Sequence, residues 1–320
     1  MFGALGSLPA VPLVSSATPI EELPRLRATL GGGPRIYVKR DDAIGFAFGG
    51  NKVRKMALVA ADALAHDADT LITTGGVQSN HARVTAAAAA KLGLRCVLVA
   101  NGSAPERPTA NAFLNRLLGA EVRYVPSREA RAPAMEEAAD ELKRAGRRPY
   151  VIPLGASTPL GAAAFVRAVV EMLEQTIPPD VIVHSTSSGG TQAGIAAGCA
   201  MAGVHTRVIG ISADDPARSL ESAVRRILAG LGPLLGLGPQ GFEDLPIEID
   251  DSFVGKGYGV ATNESREAIE LAARTEGLFL DPTYTSKAMA GLIARVRARE
   301  FPDNSTILFW HTGGQVGLFA

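Results

Sequence analysis

Three short stretches carry residues that could do chemistry together. In "FAFGGNKVRKM" (46–56), Lys52 follows Gly49, Gly50 and Asn51. A free lysine titrates near about 10.4, so its neutral form at pH 7 lies roughly 4 kcal/mol away. The stretch that follows, "VRKMALVAADALA", is rich in helix formers, which places Lys52 at about the first turn of a helix. The positive end of a helix disfavours a cation and lowers its pKa. That position suits a nucleophile or base better than a structural lysine, and a Schiff base to an aldehyde would hold the amine in place. The plain alternative is a solvated lysine at a helix start. Lys39, before Arg40, Asp41 and Asp42, reads as part of a charge network, and Lys55, one turn further on, reads as solvated.

The second stretch is "VIVHSTSSGGTQAGIAAG" (181–198), a strand, a small polar turn and a helix. Ser187, Ser188, Gly189, Gly190 and Thr191 lack bulk, so backbone N–H groups can crowd around a dianionic phosphate at the helix N-terminus. A serine-capped turn without a ligand is the bland alternative. The run is neither GxxxxGK[ST] nor GxGxxG, which argues against a nucleoside-triphosphate module. In the third stretch, "TLITTGGVQSNHARVTAAAAAKLG" (70–93), Ser79 caps a helix that Asn80 and His81 open. The same physics makes a site for a carboxylate. His81 alone reads as a capping or surface residue more readily than as a catalytic one.

These turns need a scaffold of strands that end where helices begin. β-Branched runs at 35–40, 70–74, 95–100, 121–125, 150–154, 180–185, 207–212 and 306–311 read as strands. Runs at 81–92, 109–118, 134–145, 159–175, 216–230, 264–276 and 286–299 have helical spacing. That alternation implies an α/β fold with mostly parallel sheets covered on both faces, and ligands at the carboxyl ends of the strands. The stretch 230–242, "GLGPLLGLGPQGF", reads as a loop, and the low aromatic content fits helices packing closely through alanine.

Composition narrows the partners. The 320 residues hold 32 Lys plus Arg and 32 Asp plus Glu, a balance that gives no reason to expect nucleic acid or an anionic membrane. No apolar run approaches the roughly 20 residues needed to span a bilayer. The N-terminus has no basic residue before Arg25, unlike a secretory signal, and Cys96 and Cys199 build no disulfide framework. The expectation is a cytoplasmic protein with a small-molecule substrate. No metal site is assigned.

Phosphate cradle, lysine and carboxylate turn together describe pyridoxal 5′-phosphate holding an amino acid. "KRDD…FGGNKVRK", "TTGGVQSNHARVTAAAAAKLGL", "SSGGTQAG", "DPTYTSKAMAGL" and "HTGG", in this order, closely resemble the D-cysteine desulfhydrase and 1-aminocyclopropane-1-carboxylate deaminase family. These are fold-type II enzymes, related to the tryptophan synthase β-subunit, and the resemblance runs from about Thr18 to the C-terminus. It implies two open, twisted, mostly parallel sheets flanked by helices. The larger domain would hold 1–52 and 161–320, the smaller 53–160, with the active site between them, and the chain would form a homodimer.

The resemblance also implies roles. Lys52 carries the Schiff base, Ser79, Asn80 and His81 hold the substrate carboxylate, and Thr285, beside Tyr284 in its motif, binds substrate. Asn51, Asn80, the 187–191 turn and Thr312 contact the cofactor, and Tyr258 and Tyr284 stand over the substrate. In the cyclopropane deaminases a glutamate matches Thr285 and a leucine matches Thr312. The two hydroxyls here are the pattern of D-cysteine desulfhydrases and of an L-cysteate sulfo-lyase. Thr312 would then offer the ring nitrogen a neutral partner, a weaker electron sink suited to expelling a good β-leaving group. Ser286 and Ala261 depart from many relatives, which have glycine and proline, near the expected substrate side. The expected reaction is β-elimination from D-cysteine; cysteate or a β-chloroalanine, then ring opening, are the rivals. A non-catalytic pyridoxal phosphate carrier would not need the carboxylate turn or the tyrosines.

Overall fold

The β-branched runs do form strands, and the alanine-rich runs between them form the helices that cover them. The computed structural model describes residues 3–238 and 240–320. Its strands are β1 (Ile20–Glu22), β2 (Arg35–Arg40), β3 (Thr70–Gly76), β4 (Arg95–Asn101), β5 (Glu121–Val125), β6 (Pro149–Val151), β7 (Val181–Thr186), β8 (Arg207–Ser212), β9 (Glu248–Asp250) and β10 (Thr306–His311). Its helices are α1 (Gly3–Ser7), α2 (Pro24–Thr29), α3 (Asn51–Ala65), α4 (Asn80–Leu92), α5 (Ala110–Leu117), α6 (Arg131–Arg144), α7 (Pro159–Gln175), α8 (Gly190–Ala202), α9 (Ala217–Leu234), α10 (Asn263–Glu276) and α11 (Thr285–Arg297).

The strands make two sheets. One has six strands in the order β1-β2-β10-β7-β8-β9, and the other four in the order β5-β4-β3-β6. All pairs are parallel except β1 with β2. Central strands such as β7 are buried along their whole length, as expected for a sheet covered on both faces. Helix α8 lies close on α7 through small residues. A Cβ at Gly194 would collide with the Ala162 carbonyl, and one at Gly198 would sit 2.8 Å from Val169 Cβ.

Some elements differ from the expectation. The three-residue edge strands β1 and β9, "IEE" and "EID", are acidic and half-exposed, so no apolar pattern announces them. The run at 150–154 pairs only as Pro149–Val151, because Pro153 cannot donate to a ladder and a short 3-10 turn follows at Leu154–Ala156. The loop expected at 230–242 is helical up to Leu234, with Pro233 inside the last turn. Leu228, Leu231 and Leu235 are buried there at helical spacing, and that burial overrides the glycines and the proline. Pro239, in the same stretch, lies outside the described residues.

A buried ionic network anchors α3 beneath the site. Arg54 meets Asp41 at 2.8 Å and Glu171 at 2.8 Å, Lys39 meets Glu171 at 2.6 Å, and Trp310 donates its indole N–H to Asp41 at 2.9 Å. Lys39 therefore belongs to a charge network as expected, but its carboxylate comes from α7; Arg40 pairs separately with Asp42 and Glu21. Removing one member of such a buried set would cost about 3–5 kcal/mol.

Candidate active site

The carboxyl ends of β3, β7 and β10 and the loops around Tyr258 and Tyr284 enclose a cleft of about 830 Å³. The Gly49-Gly50 turn brings Lys52 to its wall. Gly50 has φ 101°, and a Cβ there would lie 2.9 Å from the Thr312 carbonyl oxygen. Only glycine lets the turn press so closely on the "HTGG" loop, and Asn51 N then donates to Thr312 O at 3.0 Å. Lys52 is thereby fixed in the first turn of α3 beside Thr312, which also lines the cleft.

Burial pushes the Lys52 amine down to about 8; the Asp281 carboxylate opposes that and the Arg83 cation adds to it. The amine is thus close to releasing its proton near neutral pH, as a base or nucleophile requires. Lys52 Nζ donates to Asn51 Oδ1 at 3.2 Å, and Asn51 Nδ2 donates to Thr191 Oγ1 at 3.0 Å. Asn51 therefore ties the lysine to the turn at 187–191.

That turn opens α8. Gly189 has φ 80° and no side chain caps the helix. Ser187, Ser188, Gly189 and Thr191 line the cleft. Gly190 N donates to Ser157 Oγ at 3.3 Å, and the Ser157 and Ser188 hydroxyls are 2.7 Å apart. Lys55 also arrives here. It is fully buried rather than solvated, because α3 packs this side chain against Gly155 and Ser157. Its Nζ donates to Gly155 O and Ser157 Oγ, both at 3.3 Å, and no carboxylate pairs with it among the described residues. Burial and the nearby Lys52 hold its pKa well below the lysine range. A Cβ at Gly190 would lie 2.8 Å from both Lys55 Nζ and Ser157 Oγ. A buried lysine amine without a counter-ion, beside an uncapped helix N-terminus and two hydroxyls, is the donor set that a phosphate fits, since the dianion would favour the protonated amine.

The second turn holds the other anion site. Ser79 Oγ accepts from Ala82 N at 3.2 Å and caps α4, which leaves its hydroxyl proton to donate. Gly75 is needed beside it, since a Cβ there would collide with Ser79 Oγ. Asn80 Oδ1 accepts from Arg83 and Asn111, both at 2.9 Å, so its amide N–H groups turn towards Gly314. His81 also lines the cleft. Thr73 Oγ1 donates to Ile152 O at 2.8 Å, so His81 Nε2, 2.8 Å from that hydroxyl, is the donor in their bond. Burial keeps the ring neutral, and its Nδ1 is buried with no partner among the described residues.

Tyr258 and Tyr284 close the cleft. Their hydroxyls are 2.7 Å apart and their rings meet edge to face at 5.7 Å. Burial raises both pKa values, that of Tyr284 well above the usual range, so both remain protonated at neutral pH. Thr285 is a correction. Its side chain is fully buried outside the cleft wall, and its hydroxyl donates to Asp281 Oδ1 at 2.7 Å. Ser286 and Ala261 are likewise not part of that wall.

Sequence reasoning missed Lys55, Ser157 and Asp281. Helical spacing from Lys52 could have found Lys55. Asp281 opens the quoted "DPTYTSKAMAGL" motif; its carboxylate accepts from the backbone of Thr283, Tyr284 and Thr285 at 2.8–2.9 Å and so fixes Tyr284. Ser157 reaches the cradle only through tertiary packing.

Comparisons with known proteins give the family. The profile of the family described as pyridoxal-phosphate dependent enzyme matches residues 12–313. A 1-aminocyclopropane-1-carboxylate deaminase from a Bradyrhizobium species is 42% identical over 316 residues, covering 95% of this chain and 93% of its own. A D-cysteine desulfhydrase from Serratia proteamaculans is 39% identical over 325 residues, covering 99% and 97%. The crystal structure of an ACC deaminase homologue superposes with a TM-score of 0.91 at 38% identity, covering 99% of this chain and 95% of that one. The chain belongs to the fold-type II pyridoxal-phosphate-dependent enzymes, in the family of the D-cysteine desulfhydrases and 1-aminocyclopropane-1-carboxylate deaminases, and its cofactor is pyridoxal 5′-phosphate.

Proposed function

We propose that this lyase catalyses β-elimination from D-cysteine, consuming water and giving pyruvate, hydrogen sulfide and ammonia. The observation that carries this reading is the hydroxyl pair Thr285 and Thr312, where a ring-opening deaminase would have glutamate and leucine. Thr312 lines the cleft beside Lys52 as a neutral group, and Thr285 is committed to Asp281.

The 187–191 turn, Ser157 and Lys55 would hold the phosphate of the cofactor, Asn51 and Asn80 would orient it, and Thr312 would offer its ring nitrogen a neutral hydroxyl. When bound, pyridoxal phosphate supplies an electron sink for the carbanion left at the α-carbon. Ser79 and Asn80 donate to the substrate carboxylate, with His81 beside them. The Lys52 amine, depressed to about 8, takes the α-proton. One of the Tyr258 and Tyr284 hydroxyls donates to the other, so the proton of the accepting hydroxyl is available to the departing sulfur, and the two rings keep water from the lysine. The three-carbon enamine left by loss of sulfide hydrolyses after release.

The active unit is a homodimer. Phe48, Phe113, Leu117 and Phe319 are exposed apolar side chains, and Gln315 of the C-terminal turn donates to Phe48 O at 3.2 Å, so the turn and Phe48 lie side by side. A second copy of the chain is the partner that such a surface fits.

The test is turnover of D-cysteine, L-cysteine, both cysteates and the cyclopropane acid by one preparation, with sulfide, sulfite, pyruvate and 2-oxobutyrate measured. Sulfide and pyruvate from D-cysteine with little 2-oxobutyrate is the expected result. Efficient 2-oxobutyrate formation overturns it. Sulfite from L-cysteate alone keeps the elimination and replaces the substrate.

A further inference from the structure

One buried lysine has no part in the chemistry above. Lys287 lies in the first turn of α11, three residues after Tyr284, and is fully buried. Its Nζ donates to three carbonyl oxygens: Ala213 at 2.9 Å, Val254 at 2.8 Å and Gly257 at 2.9 Å. An ammonium has three N–H donors, so the set is complete, and no carboxylate pairs with it among the described residues. Burying a cation in this way is costly unless its hydrogen bonds are satisfied, so the convergence of carbonyls from two separate segments on one atom calls for a reason beyond filling space.

The reason lies in what those segments carry. Val254 and Gly257 bracket the turn that presents Tyr258. Its own backbone bonds are long: Val254 N to Asp251 O at 3.3 Å, Gly257 N to Val254 O at 3.4 Å and Val260 N to Gly257 O at 3.3 Å. Gly255, Gly257 and Gly259 all have positive φ, so little in the turn itself resists movement. Ala213 precedes Asp214, which meets Arg128 at 3.3 Å, and the Arg128 guanidinium lies 5.5 Å from the centre of the Tyr258 ring. Lys287 thus ties both supports of Tyr258 to the helix that follows Tyr284.

We infer that Lys287 is a positioning residue: it fixes the turn at 254–257 and, through it, holds the Tyr258 hydroxyl against that of Tyr284. This rests on the proposed role of the tyrosine pair, but its first test needs no substrate. Lys256 is exposed inside the turn and is a trypsin site. In cofactor-loaded Lys287→Met, which keeps length but no donor, cleavage after Lys256 is expected about tenfold faster or more, with other cleavage rates unchanged. Lys287→Gln, which keeps two donors, should fall between. In the second arm, Lys287→Met lowers kcat for sulfide release about tenfold while KM stays within about threefold, and adds no further loss to Tyr258→Phe.

An unchanged rate of cleavage at Lys256 overturns the inference. So do losses that multiply in the double variant. Failure of both lysine variants to fold also overturns it, since the lysine would then serve the whole chain rather than one turn. If the wild-type enzyme releases no sulfide from D-cysteine, the proposed reaction fails and the proteolysis arm still decides the role of Lys287.

Discussion

Replacing Lys52 by methionine should make the cofactor-free protein more stable. The folded chain holds this amine at about 8 against an ordinary value of 10.5, chiefly through burial. At about 1.36 kcal/mol per pH unit, keeping the proton on Lys52 at pH 7 costs roughly 3.4 kcal/mol. Part of the side chain reaches the cleft, where water screens the charge, and the bond to Asn51 is lost, so a net gain of about 1–3 kcal/mol is expected. The sign with pH follows from linkage. The unfolded chain keeps its proton up to 10.5, whereas the folded chain releases it at about 8. Wild-type stability therefore rises with pH between those values, and the advantage of Lys52→Met shrinks by up to about 2 kcal/mol between pH 7 and pH 9.5. Urea unfolding of both cofactor-free proteins at the two pH values measures it. A methionine variant less stable than wild type at pH 7, or equally advantaged at both values, would refute the reasoning. The variant should also lose all turnover.

Borohydride reduction of the loaded enzyme followed by peptide mapping should mark Lys52; a mark on Lys39 or Lys55 instead would remove Lys52 from its role. Gly190→Ala should weaken cofactor binding about tenfold or more, read by absorbance titration, because its Cβ would stand 2.8 Å from Lys55 Nζ and Ser157 Oγ. Lys55→Met removes the unpaired amine at the cradle, and a similar loss of cofactor affinity is expected; undiminished affinity would place the phosphate elsewhere. Asp281→Asn removes the carboxylate that holds the Lys52 pKa up, so the lysine should titrate below about 8, with lower activity from the loosened Tyr284 and about 1–3 kcal/mol less stability by denaturant unfolding.

The sequence by itself determined the strand-turn-helix units and the chemistry of their turns. Those are local facts: glycines that permit positive φ before Lys52, a serine that caps α4, small residues at the mouth of α8. Each follows from residue type and spacing within about a dozen positions. Charge partners were not legible. Lys39 finds Glu171 in α7, 132 positions away in sequence. Lys55 is buried because α3 turns that face towards Gly155 and Ser157, a matter of how α3 and the 155–157 turn pack. Thr285 shows the limit from the other side: its place in a motif put it near substrate, but Asp281 four residues earlier engages its hydroxyl and withdraws it from the cleft. Tyr258 and Tyr284 come from different loops, and only packing sets their hydroxyls 2.7 Å apart. Local sequence fixes which backbone groups are offered. Which buried side chain meets them depends on the close approach of segments far apart in the chain, since a buried polar group must find its partner wherever the fold brings one.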